Sequence, residues 1–155
     1  MELSRDLMAR QEARELLSRA EKAQQIYQAF PQEKVDEICR AAARAFEAQA
    51  EMLARLAVEE TGFGTQESKR EKNLFACRKV LSAMEGMKTR GILRKTPGLW
   101  EIGVPVGVIA AIVPSTNPTS TVCYKALIAL KSGNAIVFSP HPKADTAERY
   151  LPVPT

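Results

Sequence analysis

Apolar residues in the first half of the chain recur mostly at steps of three and four, the spacing of one helix face. This pattern predicts a helix over 3–30, stopped or bent by Pro31, and a second helix over 35–56. The second is expected to close at "TGFG", because Gly62 can take the left-handed conformation that ends helices. A third helical segment is predicted over about 66–87. Inner faces of the second and third helices comprise Val35, Ile38, Ala42, Phe46, Ala50, Leu53, Leu56, Leu74, Phe75, Val80, Leu81 and Met84.

The pattern changes after the third segment. Glycine and proline punctuate "KTRGILRKTPGLWEIGVPVG", and the short β-prone pieces at 92–93 and 99–102 predict a small hairpin or ribbon. A continuous apolar run over 106–113 predicts a buried strand, 119–131 a helix, and 135–138 a second strand. Strand, helix and strand in this order predict a βαβ unit with parallel strands and a right-handed crossover.

The predicted fold class is therefore α/β, with N-terminal helices, a β ribbon and the first βαβ unit of a parallel, Rossmann-like cofactor domain. The regions are 1–88 (helical), 89–105 (ribbon or linker), 106–144 (βαβ unit) and 145–155 (a tail with at most one short helix). Two parallel strands cannot make a sheet covered on both faces. We therefore expect the sequence to be the opening part of a larger, truncated fold, with exposed strand edges that favour self-association.

Composition narrows the function classes. The chain is 45% hydrophobic and 26% charged with a formal net charge of +4, which is typical of a globular domain. Basic and acidic residues alternate along the helices, so we expect solvated faces and no nucleic-acid partner. No signal peptide and no apolar run of about 20 residues is present, so no membrane partner is expected. The three cysteines lack metal-ligand or disulfide-framework spacing, which indicates no metal site and a cytoplasmic protein.

Two polar loops follow the two predicted strands: "PSTNP" after the first and "SPHPK" after the second. Ligands of open α/β sheets bind outside the carboxyl ends of the strands, so these loops are the candidate nucleotide site. Prolines restrict both loops, and the polar side chains include Thr116 and Asn117. Neither GxGxxG nor GxxxxGK[ST] occurs in the chain, so the loops alone are a weak signal.

A longer motif adds to this signal. The segment "EIGVPVGVIAAIVPSTNPTSTVCYKALIALKSGNAIVFSPHPKA", residues 101–144, resembles the start of the cofactor domain in the aldehyde dehydrogenase superfamily. It is most similar to the coenzyme A-acylating branch, which includes acetaldehyde and propionaldehyde dehydrogenases and bifunctional aldehyde–alcohol dehydrogenases. "AVEETGFG", residues 57–64, also matches that branch, and the resemblance extends over about 16–143.

The resemblance implies oxidation of a small aldehyde with NAD or NADP and transfer of the acyl group to coenzyme A. In that family a cysteine thiolate attacks the aldehyde, and Asn117 matches the asparagine whose amide donates to the resulting oxyanion. An Asx turn or helix cap is the alternative role for Asn117. The resemblance also implies a set of cofactor-binding residues beside the nicotinamide half and the adenosine ribose. These are Ile112, Val113, Pro114 and Ser115, and Ser139, Pro140 and His141, respectively.

Three observations qualify this picture. Many non-acylating relatives carry lysine at the position of Ser139, so ribose recognition should differ here. His141, the single histidine, has loop packing as its favoured alternative role. None of the cysteines matches the family nucleophile, which lies beyond the second strand, and Cys123 is expected to be a small packed side chain. We therefore expect this chain to be inactive alone.

A second hypothesis is a non-catalytic interaction or targeting module. The leucines of the first helix could dock on a partner, either a full-length dehydrogenase or a bacterial microcompartment shell, and the shell would place the protein in a microcompartment. Those leucines are Leu3, Leu7, Leu16 and Leu17.

Overall fold

The computed structural model of the chain describes residues 4–144. The helices are α1 (Arg5–Tyr27), α2 (Gln32–Ala48), α3 (Ala50–Thr61), α4 (Gln66–Phe75), a π-helical turn (Ala76–Val80), α5 (Leu81–Met84) and α6 (Pro118–Lys131). The strands are β1 (Gly91–Thr96), β2 (Leu99–Gly103), β3 (Val108–Ile112) and β4 (Ala135–Ser139). The predicted α/β order of helices, ribbon and βαβ unit is confirmed. Leu3 and the tail over 145–155 lie outside the described residues.

The second predicted helix is two helices, so that prediction was wrong in one respect. Gln49 leaves helical geometry, with φ −106° and ψ 5°, and separates α2 from α3. The apolar steps from Phe46 to Ala50 and Leu53 suit a continuous helix equally well, so periodicity does not reveal the break. The predicted end at Gly62 is confirmed, since this residue has φ 70° and its N–H donates to the carbonyl of Val58.

The third predicted segment also differs in detail. Thr65 caps α4 through a capping box with Ser68, but the helix changes to a π-helical turn after Phe75 and ends at Met84 instead of Met87. Phe75, predicted to face inward, is 63% exposed. Cys77 is buried instead, because it follows the buried residues Lys69 and Asn73 at steps of four and so lies on the same face of the helix, which Phe75 does not share.

The ribbon and the βαβ unit have the predicted pairing. β1 and β2 are antiparallel, and β3 and β4 are parallel, with Val108 opposite Ala135 and Ile112 opposite Ser139. The expectation of a buried strand over 106–113 was wrong in extent. Val106 is 82% exposed and lies before β3 begins. Ile112 is 78% exposed because it alternates with the buried residues Ala111 and Val113 and so points to the opposite face of the strand.

One core joins the N-terminal helices to the βαβ unit. α2 and the π-helical turn pack against α6, and α1 packs against β4. Buried side chains at the centre include Val35, Phe46, Leu53, Val113 and Leu127. In the part of the chain that the structure describes, no helix combines the length and the apolar character needed to span a membrane.

Candidate functional site

The carboxyl ends of the two parallel strands lie side by side. The pairing of β3 with β4 ends at Ile112 and Ser139, and the N–H of Val113 donates to the carbonyl of Ser139 at 3.0 Å. The loop over 114–117 and the loop over 140–143 therefore begin next to each other. This adjacency is the arrangement expected of a ligand site at a parallel sheet edge.

The sequence-predicted residues at this edge differ in exposure. Val113 is buried, whereas Ile112 and Pro114 are exposed and Ser115 is partly buried. Ile112, Pro114 and Ser115 thus present a surface at the end of β3, and Val113 anchors it in the core.

The second loop is more open. Ser139 and His141 are exposed, and Pro140 is partly buried. His141 Nδ1 accepts a hydrogen bond from the N–H of Lys143 at 3.1 Å. In the described residues no carboxylate hydrogen-bonds His141, so its observed contact is a local turn contact.

Asn117 occupies the position before α6 without acting as a side-chain cap. Its backbone has φ −147° and ψ 62°, and its side chain makes no capping hydrogen bond. Instead, Oδ1 accepts a hydrogen bond from Lys72 Nζ at 3.1 Å. Within residues 4–144 the Nδ2 group has no acceptor, so the carbonyl side of the amide is held and the donor side is free.

Residues of α4 form hydrogen bonds with the loop over 114–117 and with the start of α6. Lys69, only 4% exposed, donates from Nζ to the carbonyl of Thr116. Asn73, also 4% exposed, accepts from Thr119 Oγ1 at 2.8 Å and donates from Nδ2 to the carbonyl of Ala50 at 3.1 Å. With the contact from Lys72 to Asn117, α4 is therefore tied to the loop at residues 116 and 117 and to the start of α6 at residue 119.

Sequence reasoning missed these three α4 residues. Lys69, Lys72 and Asn73 are spaced at i, i+3 and i+4, which places them on one helix face. The lysines were interpreted as part of a solvated charged face. The asparagine four residues after Lys69 was the available signal, because amides in helices favour positions with a defined partner.

The surroundings of Asn117 are electropositive. Lys69 and Lys72 lie on one side, and Lys125 Nζ donates to the carbonyl of Ile112 at 2.7 Å. Burial, and then the charge of Lys72, lower the pKa of Lys69. The N-terminus of α6 adds its own partial positive charge. Free amide donors in this setting can stabilise negative charge developing on an oxygen atom.

The cysteines lie away from solvent. Cys39, Cys77 and Cys123 are each buried, and Cys123 is the packed side chain in α6 that the sequence predicts. Among the described residues, no group of three or more histidine, cysteine, aspartate or glutamate side chains could hold a metal ion.

Comparisons with known proteins agree on one family. Residues 5–151 match the model described as "Aldehyde dehydrogenase family". The bifunctional aldehyde-alcohol dehydrogenase AdhE of Escherichia coli K12 is 48% identical over 134 residues, which is 85% of this chain and 15% of that protein. The chain thus spans a small part of this relative.

Solved structures give the same result. A probable aldehyde dehydrogenase from Listeria monocytogenes EGD-e is 47% identical with a TM-score of 0.90, and the match covers 94% of this chain and 32% of that protein. An acetylating aldehyde dehydrogenase from Geobacillus thermoglucosidasius is 46% identical with a TM-score of 0.88, and the match covers 96% of this chain and 36% of that protein.

More distant neighbours include proteins with bound ligands. An engineered glycolyl-CoA reductase with bound NADP⁺ is 31% identical with a TM-score of 0.73, and the match covers 88% of this chain and 31% of that protein. A Rhodopseudomonas palustris propionaldehyde dehydrogenase with bound propionyl-CoA is 32% identical, with a TM-score of 0.75 and coverage of 88% and 30%. A propionaldehyde dehydrogenase from a Clostridium phytofermentans bacterial microcompartment is 30% identical, with a TM-score of 0.73 and coverage of 87% and 31%.

Proposed function

The chain belongs to the aldehyde dehydrogenase family, and we propose that it supplies the oxyanion-binding loop and part of the cofactor site of a coenzyme A-acylating enzyme. That enzyme would oxidise a short-chain aldehyde with NAD or NADP and release an acyl-CoA. The chain is similar to an acetylating enzyme and to solved structures with bound NADP⁺ or propionyl-CoA, and this similarity supports the proposed substrate and cofactor class.

The geometry of Asn117 carries the proposal. Attack of a thiolate on an aldehyde leaves negative charge on the former carbonyl oxygen, and preorganised donors stabilise that charge. Lys72 occupies Oδ1 of Asn117, so Nδ2 is the side of the amide available to the oxyanion. Because the loop is also tied to α4 through Thr116 and Thr119, the donor needs little reorganisation during the reaction.

The residues at the strand ends fit a nicotinamide dinucleotide. Ile112, Pro114 and Ser115 offer an exposed surface at the end of β3, and we assign it to the nicotinamide half. Ser139 is exposed, and in the described residues its hydroxyl has no protein partner, so it can bind a ribose hydroxyl. We assign Pro140 and His141 to the same ribose edge. When bound, the cofactor supplies the hydride acceptor.

We propose that the 155-residue chain is inactive without further protein. A nucleophilic cysteine must reach the substrate as a thiolate, whereas all three cysteines here are buried. The purified chain is to be assayed with acetaldehyde, NAD and coenzyme A beside a Cys123→Ser variant. Turnover that exceeds the variant's rate would contradict inactivity.

A chimeric enzyme tests the assigned role of Asn117. The chain replaces its matched segment in the E. coli relative, and Asn117→Ala is compared with Ser120→Ala, a variant in the first turn of α6. We expect Asn117→Ala to lower kcat by about two to three orders of magnitude with a small change in KM, because the interaction forms in the transition state. An unchanged kcat in a folded chimera would refute the assignment.

Exposed residues on α1 favour a second candidate, an interaction or targeting module. Leu7, Leu16 and Leu17 are 51%, 36% and 45% exposed. These side chains could dock on a second copy, a full-length dehydrogenase or a microcompartment shell protein, which would place the protein in the cytoplasm or in a microcompartment. Co-purification with a dehydrogenase or shell protein, lost when the three leucines are changed to serine, is the expected result. Retention in the serine variant would exclude docking through α1.

A further inference from the structure

Two buried thiols face each other between the π-helical turn and α6. Cys77 Sγ and Cys123 Sγ are 3.3 Å apart, and the residues are 1% and 2% exposed. They are 46 positions apart in the sequence, so the fold brings them together. Their contact joins the segment that continues α4 to the helix that begins after Asn117.

The third cysteine does not share this arrangement. Cys39 Sγ lies 4.0 Å from the carbonyl of Leu127, and in the described residues no thiol contacts it. The chain therefore contains one dithiol pair and, in Cys39, an internal reference with similar burial.

We propose that Cys77 and Cys123 form a site of reversible oxidation, at which a hydroperoxide converts the two thiols to a disulfide. In the first step the peroxide oxidises Cys77 to a sulfenic acid and is itself reduced to water, or to an alcohol if it is organic. In the second step the Cys123 sulfur displaces hydroxide from the Cys77 sulfur, and the thiol proton leaves with it as a second water. Two thiols and one peroxide are consumed, and a thiol reductant restores both thiols.

The electrostatics of the pair favour this order. The hydrogen bond from the Cys123 thiol lowers the pKa of Cys77, although burial opposes this shift. The hydrogen bond to Cys77, and then burial, raise the pKa of Cys123. Cys77 is therefore the thiol that ionises first, and thiolates are the form that peroxides oxidise.

The bond would fix α6 to the segment that carries Lys72 and Asn73. Because the pair is enclosed, the oxidant reaches it only when the π-helical turn opens, so the reaction is slower than oxidation of an exposed thiol. This inference stands on the thiol pair alone and does not depend on the proposed dehydrogenase function.

The experiment is peptide mapping of the folded 155-residue chain after treatment with hydrogen peroxide. Free thiols are alkylated in denaturant, and trypsin is added without reductant. We expect the intact chain to lose the mass of two hydrogen atoms, and peptide 73–78 to be disulfide-linked to peptide 96–125. Peptide 35–40, which contains Cys39, should be fully alkylated. Dithiothreitol should reverse the link.

Matched variants complete the test. Cys77→Ala and Cys123→Ala should each abolish the linked species, whereas Cys39→Ala should leave it unchanged. The oxidised wild type should melt about 5–10 °C higher than the reduced form, because the link constrains a long loop in the unfolded chain. Links that involve Cys39, links between chains, or irreversible oxidation alone would overturn the proposal. The wild-type peptide map decides this even if an alanine variant fails to fold.

Discussion

Lys72 Nζ donates to Asn117 Oδ1 at 3.1 Å across 45 positions of sequence. An asparagine amide can turn about its last side-chain bond, so either its oxygen or its nitrogen could face a bound substrate. A lysine can only donate hydrogen bonds, and its contact therefore selects one orientation of the amide. The contact leaves both Nδ2 hydrogens available at the end of β3.

Replacement of Lys72 by methionine should release this orientation without unfolding the protein. Lys72 is exposed, so we expect the free energy of unfolding to change by less than about 0.5 kcal/mol. The Asn117 side-chain amide signals in a ¹⁵N-correlated NMR spectrum should shift and broaden as the amide begins to rotate. Lys79→Met, an exposed lysine in the π-helical turn, is the matched control and should leave these signals in place. Unaltered Asn117 signals in the Lys72 variant would show that Lys72 does not orient the amide.

Thr119→Val tests the anchoring of the loop to α4. Thr119 is 2% exposed and donates from Oγ1 to Asn73 Oδ1 at 2.8 Å. Valine keeps the side-chain shape but leaves a buried amide oxygen without its donor, which should cost about 1–3 kcal/mol. The measurement is urea unfolding. Thr121→Val in the same helix is the control, because Thr121 is 6% exposed and its hydroxyl has no partner in residues 4–144. Equal losses in the two variants would argue against the Asn73 contact as the cause.

We predict that Lys69 makes the free energy of unfolding depend on pH in the alkaline range. Burial, and then the charge of Lys72, lower the pKa of Lys69 below its ordinary value of 10.5. Between the lowered pKa and 10.5 the unfolded chain binds more protons than the folded chain, so Lys69 makes stability rise with pH in that window. The free energy of unfolding of the wild type, minus that of Lys69→Met, should therefore increase with pH there. Urea titrations at successive pH values measure this difference, and a decrease would reverse the assigned sign.

The sequence predicts those parts of the fold that depend on local periodicity. Steps of three and four marked the helices, and continuous apolar runs marked β3 and β4. The break at Gln49 was not predictable, because the apolar residues on both sides suit one long helix. Burial of Val106 and Ile112 was overestimated, since an apolar run indicates preference for burial and does not supply the covering elements.

Some residues of the candidate site were recognisable from the sequence, and others were found only in the structure. Asn117 and the two strand-end loops were recognisable from a contiguous motif. The contributions of Lys69 and Lys72 depend on contacts across 47 and 45 positions, which no local pattern encodes. The facing of Cys77 and Cys123 is of the same kind, because it depends on a contact across 46 positions.

The ion pair between Asp36 and Lys131 gives a final prediction about the core shared by α2 and α6. Lys131 Nζ lies 2.6 Å from Asp36 Oδ1, and the two side chains are 6% and 23% exposed. Asp36→Asn leaves the lysine charge buried without its counter-charge, which should cost about 2–4 kcal/mol in urea unfolding at neutral pH. Glu37→Gln, next in sequence but in an exposed pair with Lys34, should leave the urea midpoint nearly unchanged.

The pH dependence of the Asp36 variant separates lost charge pairing from lost packing. Burial acts to raise the pKa of Asp36, but hydrogen bonds from Lys131 and Gln32 outweigh it, so the pKa lies below its ordinary value of 3.8. The stabilisation is then fully present above pH 3.8 and is lost as the pH falls through the lowered pKa. The difference between wild type and Asp36→Asn should shrink in that acid range, because protonated Asp36 resembles asparagine in charge. A difference that stays constant down to the lowest pH at which the chain folds would identify packing, and not the ion pair, as the source of the loss.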